Sequence, residues 1–369
     1  VSSITGSILA IFPYLVAGSS PLAVMRELLR KGTDVTIARY LPSATGYTMD
    51  QAADFVAGER LLDLHQHLGL SGVDVIERIV RARACSIIVQ AGSPWAYAHL
   101  ARVKERMPSL RVVDLLYNTG PHFHSFASYE RVFDDVIVES AAMFAELTAR
   151  ACRSRIHKVE SGVDLGEFAP RAHRPGWNGG VFTLGYVGRL SPEKNPLGFI
   201  ALAERIAESL PWVRFAIFGQ GPLQAEVIER LERSPVTSAI RFGGFVRHPT
   251  EAYGAIDALL VPSILDGRPV SVMEASACGV PVLGASVGGI PELIEDGRNG
   301  YVVGRSDAPR IIEILSSWAD DPEKHSRMRY EARVVAELRF DRRQMMDAYY
   351  RTFRDISTFP ARAISHADA

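Results

Sequence analysis

Short apolar runs alternate with amphipathic segments from the start of the chain. Ile8 to Leu15 predicts a strand, Pro21 to Lys31 a helix and Asp34 to Ala38 a second strand. Ser86 to Gln90, Arg111 to Tyr117 and Val136 to Val138 predict further strands, with helices over Gly72 to Ala84 and Trp95 to Met107 between them. Strand, helix, strand is the unit of a parallel sheet. From Ala169 to Gly180 the pattern lapses into two prolines and three glycines with little apolar content, the composition of a linker. The alternation then restarts: strand Phe182 to Val187, helix Leu197 to Ser209, strand Arg214 to Phe218, helix Pro222 to Arg233, strands Ile240 to Phe242 and Ala258 to Val261. Gly267 and Pro269 break the last run, Val270 to Cys278 is helical, and Gly279 stops it. Beyond Asp320 the chain is charged and helical over Pro322 to Leu338 and Asp341 to Ile356, and Phe359 to Ala369 reads as a frayed tail.

The expected fold class is therefore α/β, with two doubly wound Rossmann-like domains facing a cleft. Boundaries are expected at 1–170 and 171–340, with a terminal helix and tail over 341–369. The length agrees: 369 residues exceed one ordinary core and suit two domains of roughly 150 to 180 residues. Hydrophobic residues at 47% and charged residues at 22% are those of a globular enzyme, which excludes the disordered and fibrous classes. A formal charge of −1, from 41 basic and 42 acidic residues, gives no global field to draw in nucleic acid or an anionic membrane. Any anion must be met locally. Cys85, Cys152 and Cys278 lie far apart, so no disulfide is expected and a reducing, cytoplasmic setting fits. No run reaches the length of a membrane span, and the start at Val1 lacks a basic leader pattern. Peripheral contact with the inner face of a membrane stays open.

In open parallel sheets ligands sit beyond the carboxyl ends of the strands, so the loops there carry the candidate chemistry. Gly188-Arg-Leu-Ser-Pro-Glu-Lys-Asn195 sets Arg189 and Lys194 on one loop, a fork and a point charge suited to a diphosphate, or else two solvated surface charges. Gly219 and Gly221 let backbone approach a ligand. Phe245 and Val246 close the strand-end run Phe242 to Val246, which either reads a base through its main chain or packs. Asp266, Gly267, Arg268, Pro269 and Val270 form a turn opening a helix, where free N–H groups and the helix dipole favour an anion. Glu274 lies about five residues into that helix, roughly 7 Å along its axis, so it and Asp266 bracket a ligand of nucleotide-sugar length. Asp266 alternatively only caps its turn. Leu64-His-Gln-His-Leu68 and His122-Phe-His124 have the look of metal pairs, but no third ligand is spaced to match and no metal is expected.

These four loops, in this order, resemble the carboxyl-terminal domain of the GT-B retaining glycosyltransferases of glycosyltransferase family four. The resemblance covers essentially the second half. It implies that Arg189 and Lys194 bind the donor diphosphate, Glu274 the ribose hydroxyls, and Asp266, standing where the family usually has Glu, the transferred sugar. The first half resembles the family's acceptor-side domain less sharply. There Gly18 stands where the family has a glycine-rich loop, Ser161-Gly-Val-Asp164 resembles a structural turn, and His122, ahead of His124, is the histidine near the sugar. The helix from Asp341 resembles the family's tail that crosses back onto the first domain. The implied activity is metal-independent, retaining hexosyl transfer from a nucleotide-diphosphate sugar, the UDP-sugar being the expected donor and a substrate rather than a cofactor. The acceptor is left as a glycan, a lipid-linked sugar or a small molecule. The rival readings are a non-catalytic nucleotide-sugar-binding subunit and a nucleotide-sugar epimerase of the same fold. An NAD enzyme is disfavoured, since no Gly-x-Gly-x-x-Gly follows the first strand.

Overall fold

Apolar runs too continuous for a half-solvated strand become strands covered on both faces, the requirement of an all-parallel sheet. A computed structural model describes residues 4–13, 15, 20–40, 61–64, 71–92, 94–117, 120–170 and 180–362. The first stretch of chain forms β1 (Ser7–Phe12), α1 (Ser20–Arg30), β2 (Val35–Arg39), β3 (Leu61–Asp63), α2 (Gly72–Ala82), β4 (Cys85–Gln90), α3 (Pro94–Arg106), β5 (Arg111–Leu116), α4 (Pro121–Tyr129), β6 (Asp135–Val138), α5 (Ala141–Ala149) and β7 (Arg155–Lys158). It continues with β8 (Phe182–Val187), α6 (Pro196–Ser209), β9 (Val213–Phe218), α7 (Gln224–Glu232), β10 (Ile240–Gly244), α8 (Pro249–Gly254), β11 (Ala258–Val261), α9 (Val270–Ala277), β12 (Val282–Ala285), α10 (Ile290–Leu293), β13 (Gly300–Val303), α11 (Ala308–Asp320), α12 (Pro322–Arg339) and α13 (Arg342–Thr358).

Two compact units result, one of Val1–Glu160 with Met345–Ala369 and the other of Ser161–Gln344. The first holds a parallel sheet of order β3-β2-β1-β4-β5-β6-β7, the second one of order β10-β9-β8-β11-β12-β13. Both are doubly wound α/β sheets. In each the order reverses once, between β1 and β4 and between β8 and β11, which marks the switch point where such sheets bind ligands. Each sheet has a core on both faces. In the second unit one face packs Phe199, Ile206, Ile311 and Trp318, and the other Val272, Met273, Val335 and Phe340. In the first, Leu100, Phe126 and Phe133 cover one face, while Met345, Tyr349, Phe353 and Ile356 of α13 join the core of the other.

Three expectations need correction. The boundary expected after residue 170 lies at Glu160/Ser161, because Val163 N–H donates to the Phe340 carbonyl at 2.7 Å, Arg342 N–H donates back to Val163 at 2.9 Å, and Phe168 enters the second unit's core. The first strand ends at Phe12 rather than running to Leu15. The tail is not frayed from Phe359: Arg111 donates to the carbonyls of Phe359 and Pro360, the Arg155 guanidinium lies 4.1 Å over the Phe359 ring, and the Arg362 N–H reaches the Asp134 carboxylate. Burying the only apolar ring of that tail beside two cations outweighs its polar composition. The expected linker falls largely, and Gly18 entirely, outside the described residues. The three cysteines are free thiols.

Candidate functional site

In the second unit the loops following β8, β9, β11 and β12 are bound to one another by their backbones. After β8 the Gly188 N–H donates to Phe218 at 3.0 Å, and Leu190 exchanges bonds with Gln220 and Leu223, both at 2.9 Å. Gly219 has φ +147°, and a side chain there would put its Cβ 1.8 Å from the Gly188 carbonyl oxygen. Only glycine allows these two loops to touch. Tyr186, buried in β8, donates its hydroxyl to the Arg189 carbonyl at 2.7 Å, and burial pushes its phenol well up. The same loop is fastened to the one after β11: Ile264 N–H donates to Glu193 O at 2.8 Å and the Asn195 amide to Pro262 O at 3.0 Å. Asn195 is left-handed at φ 56° and caps α6, its side chain accepting from the Gly198 N–H, so the turn that ends in Lys194 is fixed from both sides.

Lys194 and Asp266, assigned to different parts of a ligand by the sequence, are bonded to each other. The ammonium donates to Asp266 Oδ2 at 2.6 Å, and the Ser263 hydroxyl donates to the same oxygen at 3.2 Å. The carboxylate is only 5% exposed while the lysine keeps 30%, so the cation faces the open side of the pair. The Asp266 backbone is crowded as well. Gly288, at φ +52°, packs so closely that a Cβ would meet the Asp266 carbonyl at 1.7 Å, and the Gly289 N–H lies 3.3 Å from that oxygen. Pro269 is the residue before α9, and the helix has no side-chain cap, so its first N–H groups point at the loop. Gly267 is partly exposed and Val270 37% exposed. Arg268 turns inward, 4% exposed, with its guanidinium 5.9 Å from the Phe340 ring centre.

Glu274 is the fifth residue of α9 and partly buried. Tyr253 of α8, itself buried, donates its hydroxyl to Glu274 Oε2 at 2.6 Å. Burial lifts the Glu274 carboxyl to about 7, against the pull of the Tyr253 bond and of Arg342. Arg189 and Gly219 are partly buried beside the loops described, and Gly221 passes tightly against the Leu190 carbonyl. After β10, Phe245 is 48% exposed, Val246 packs against the core and Phe242 is partly buried on the other face, so the packing role belongs to Phe242 and not to Phe245. Tyr253 and Ser263 were missed. Their only signal is a hydroxyl in an apolar setting.

In the first unit His122 stands at the start of α4 and Asp114, wholly buried, inside β5. His122 Nε2 lies 3.2 Å from Asp114 Oδ1, which also accepts from the Gln90 amide at 2.7 Å, while Tyr97 donates to Oδ2 at 2.5 Å. Burial and the adjacent Asp114 drive the Tyr97 phenol far up, so it is a donor at all ordinary pH. Asp114, Gln90 and Tyr97 were also missed, though a Gln and an Asp within apolar strand runs were a readable signal. His124 is exposed and bonds locally to Gly120 O at 3.1 Å. His65 and His67 lie outside the described residues, and among the described residues no three His, Cys, Asp or Glu side chains gather as a metal site. No described helix is long and apolar enough to cross a membrane.

The family model described as "Glycosyl transferases group 1" matches residues 172–335. Among curated relatives, the glycogen synthase of Mycobacterium tuberculosis is 30% identical over 216 residues, 57% of this chain and 51% of that protein. The 2-deoxystreptamine N-acetyl-D-glucosaminyltransferase of Streptomyces fradiae is 31% identical over 146 residues, 38% of this chain and 35% of its own length. The chain thus spans about half the length, or less, of these relatives. Among solved structures, Anabaena Alr3699/HepE in complex with UDP superposes with a TM-score of 0.75 at 18% identity, covering 96% of this chain and 100% of that one. Through its second unit, the chain belongs to the group 1 glycosyltransferases of the GT-B fold.

Proposed function

We propose that this chain is a metal-independent, retaining hexosyltransferase that takes a sugar from a UDP-sugar and delivers it to a hydroxyl of a glycan, lipid-linked or small-molecule acceptor. It works in the cytoplasm, with contact at the inner membrane face where the acceptor is lipid-linked. The observation that carries this reading is the Lys194 ammonium, held 2.6 Å from a nearly buried Asp266 beside the uncapped N-terminus of α9 at the sheet's switch point. Breaking an anomeric bond to a diphosphate leaves negative charge on the leaving group, and fixed cations and N–H dipoles stabilise it without reorganising. Arg189, Lys194 and the first turn of α9 fill that role. Lysine has three donors, so Lys194 can serve Asp266 and a phosphate oxygen together. Asp266 then orients the transferred sugar, Glu274 takes the ribose hydroxyls, and Gly219, Gly221 and the backbone at Phe245 and Val246 line the nucleotide. His122 contributes to the sugar from the first unit, as Gly18 does through its backbone. The choice of uridine is supported by the UDP bound to the Anabaena structure.

A thermal-shift screen over UDP-, ADP-, GDP- and dTDP-sugars tests the donor, because a ligand that binds only the native state raises its stability with concentration. A UDP-sugar is expected to give the largest shift. Transfer to an acceptor with retained anomeric configuration, unchanged by EDTA, is the expected product test. Stabilisation by no nucleotide sugar, or loss of turnover with EDTA, overturns the reading.

A further inference from the structure

We propose that Asp114 is a positioning residue that fixes His122 as the Nε2–H tautomer, so that Nδ1 is presented as a hydrogen-bond acceptor for a hydroxyl of the sugar substrate. The inference deepens the proposed function and rests on it for the identity of the ligand.

The argument begins with a proton count around a buried carboxylate. Asp114 has no exposure, and three groups surround it: the Gln90 amide at 2.7 Å, the Tyr97 hydroxyl at 2.5 Å and His122 Nε2 at 3.2 Å. An ionised carboxylate only accepts, so every neighbour facing it must be a donor. A buried carboxylate left short of donors is costly, which gives the arrangement its energetic direction. Gln90 must turn its NH2 toward Oδ1, since its carbonyl there would face an oxygen. That same nitrogen lies 3.4 Å from His122 Nε2, so the amide is committed by the carboxylate it serves. His122 Nε2 then carries its proton toward Asp114. In the neutral ring the lone pair must be on the other nitrogen, because one ring nitrogen donates and the other accepts.

The surroundings leave that lone pair accessible. His122 Nδ1 makes no hydrogen bond among the described residues, and His122 keeps 10% side-chain exposure. The ring edge carrying Nδ1 faces Gly92, just past the end of β4. The Nδ1 and Cε1 atoms are 3.8 and 3.9 Å from where a Cβ of that residue would stand, and no other atom comes within 4 Å of the point. Gly92 follows the strand beside the switch point of the first sheet, where ligands of such sheets sit. Tyr97 and Tyr117 meet the ring at centroid distances of 6.2 Å each, fixing its plane. A donor-only His122, meeting a phosphate or a carbonyl, would need the opposite tautomer. The Asp114 network therefore selects a ligand group that brings its own proton, and a sugar hydroxyl is that group.

The test reads the ring directly in the 15N-labelled full chain. Long-range 1H–15N correlations of His122, assigned by their loss in His122→Gln, are recorded with and without the UDP-sugar that the thermal-shift screen selects. Expected are a pyrrole-like Nε2 and a pyridine-like Nδ1 in the free protein, with only Nδ1 moving strongly when the sugar is added. Asp114→Asn is expected to populate the Nδ1–H tautomer and to weaken sugar binding about threefold to tenfold, the cost of one neutral hydrogen bond. Tyr97→Phe, which keeps the carboxylate, is expected to keep the tautomer. A protonated Nδ1 in the free wild type overturns the proposal without any variant having to fold. So does a stationary Nδ1 when the thermal shift shows that the sugar is bound. Absence of any thermal shift instead fails the proposed function, and is seen separately from the tautomer.

Discussion

Replacing Glu274 with Gln should stabilise the protein and weaken its ligand binding, and the two effects should share one pH dependence. The carboxyl is raised from 4.5 to about 7, chiefly because burial penalises its charged form. At about 1.36 kcal/mol per tenfold change in proton affinity, that gap corresponds to about 3 kcal/mol. The sign follows from which state holds the proton. Between pH 4.5 and 7 the folded chain binds it more tightly than the unfolded chain, so folding stability falls as pH rises through this window and stays reduced above it. Gln keeps an oxygen to accept from Tyr253 but has no charge to desolvate. Glu274→Gln should therefore exceed the wild type by about 1 kcal/mol at pH 5 and about 3 kcal/mol above pH 8. Urea denaturation of both proteins at matched pH measures this, since the difference between them cancels whatever the first unit contributes. In the same variant UDP should bind at least about tenfold more weakly at pH 8, where the wild type offers a carboxylate to two ribose hydroxyls. A stability difference that does not change with pH, or a variant less stable than the wild type at pH 8, refutes the reasoning.

Tyr253→Phe removes the hydroxyl that steadies the Glu274 charge, so it should cost about 1–3 kcal/mol at pH 8 and less at pH 5, again by urea denaturation. Its effect on stability thus runs opposite to that of Glu274→Gln. Gly288→Ala drives a Cβ into the Asp266 carbonyl from a left-handed backbone; it should lower the thermal midpoint by several degrees and weaken UDP binding together, whereas Gly297→Ala, left-handed but with open space around it, should only lower the midpoint.

The frame of the second unit was legible because β8, β9 and β11 are continuous apolar runs ended by glycine or proline, and a parallel sheet demands both. Lys194, Asp266 and Glu274 were legible as loop and first-turn residues after those strands. Their partners were not. That Lys194 answers to Asp266 depends on the loops after β8 and β11 lying side by side across the switch point, a contact between residues 72 apart in sequence. Tyr253 reads as one more aromatic in a helix until α8 is packed beside α9. In the first unit His122 was singled out by resemblance, while Asp114 and Gln90, polar residues within buried strands, carried their own signal unread. The Glu160/Ser161 boundary was hidden because Pro and Gly content marks a flexible stretch, whereas the unit ends where Val163 pairs with Phe340 and Arg342. The terminal segment from Phe359 was misread for the same reason: its composition is that of a tail, and only the fold sets Arg111 and Arg155 beneath it.

The central claim is that the Lys194 loop of the second unit holds a nucleoside diphosphate. Isothermal titration of UDP into the wild type and Lys194→Ala, without added divalent ions, tests it most directly. The account predicts saturable binding to the wild type and a loss of at least about tenfold in the variant, the worth of one charge-assisted hydrogen bond to phosphate. Equal affinity of the two proteins for UDP, or no binding to either, would contradict it.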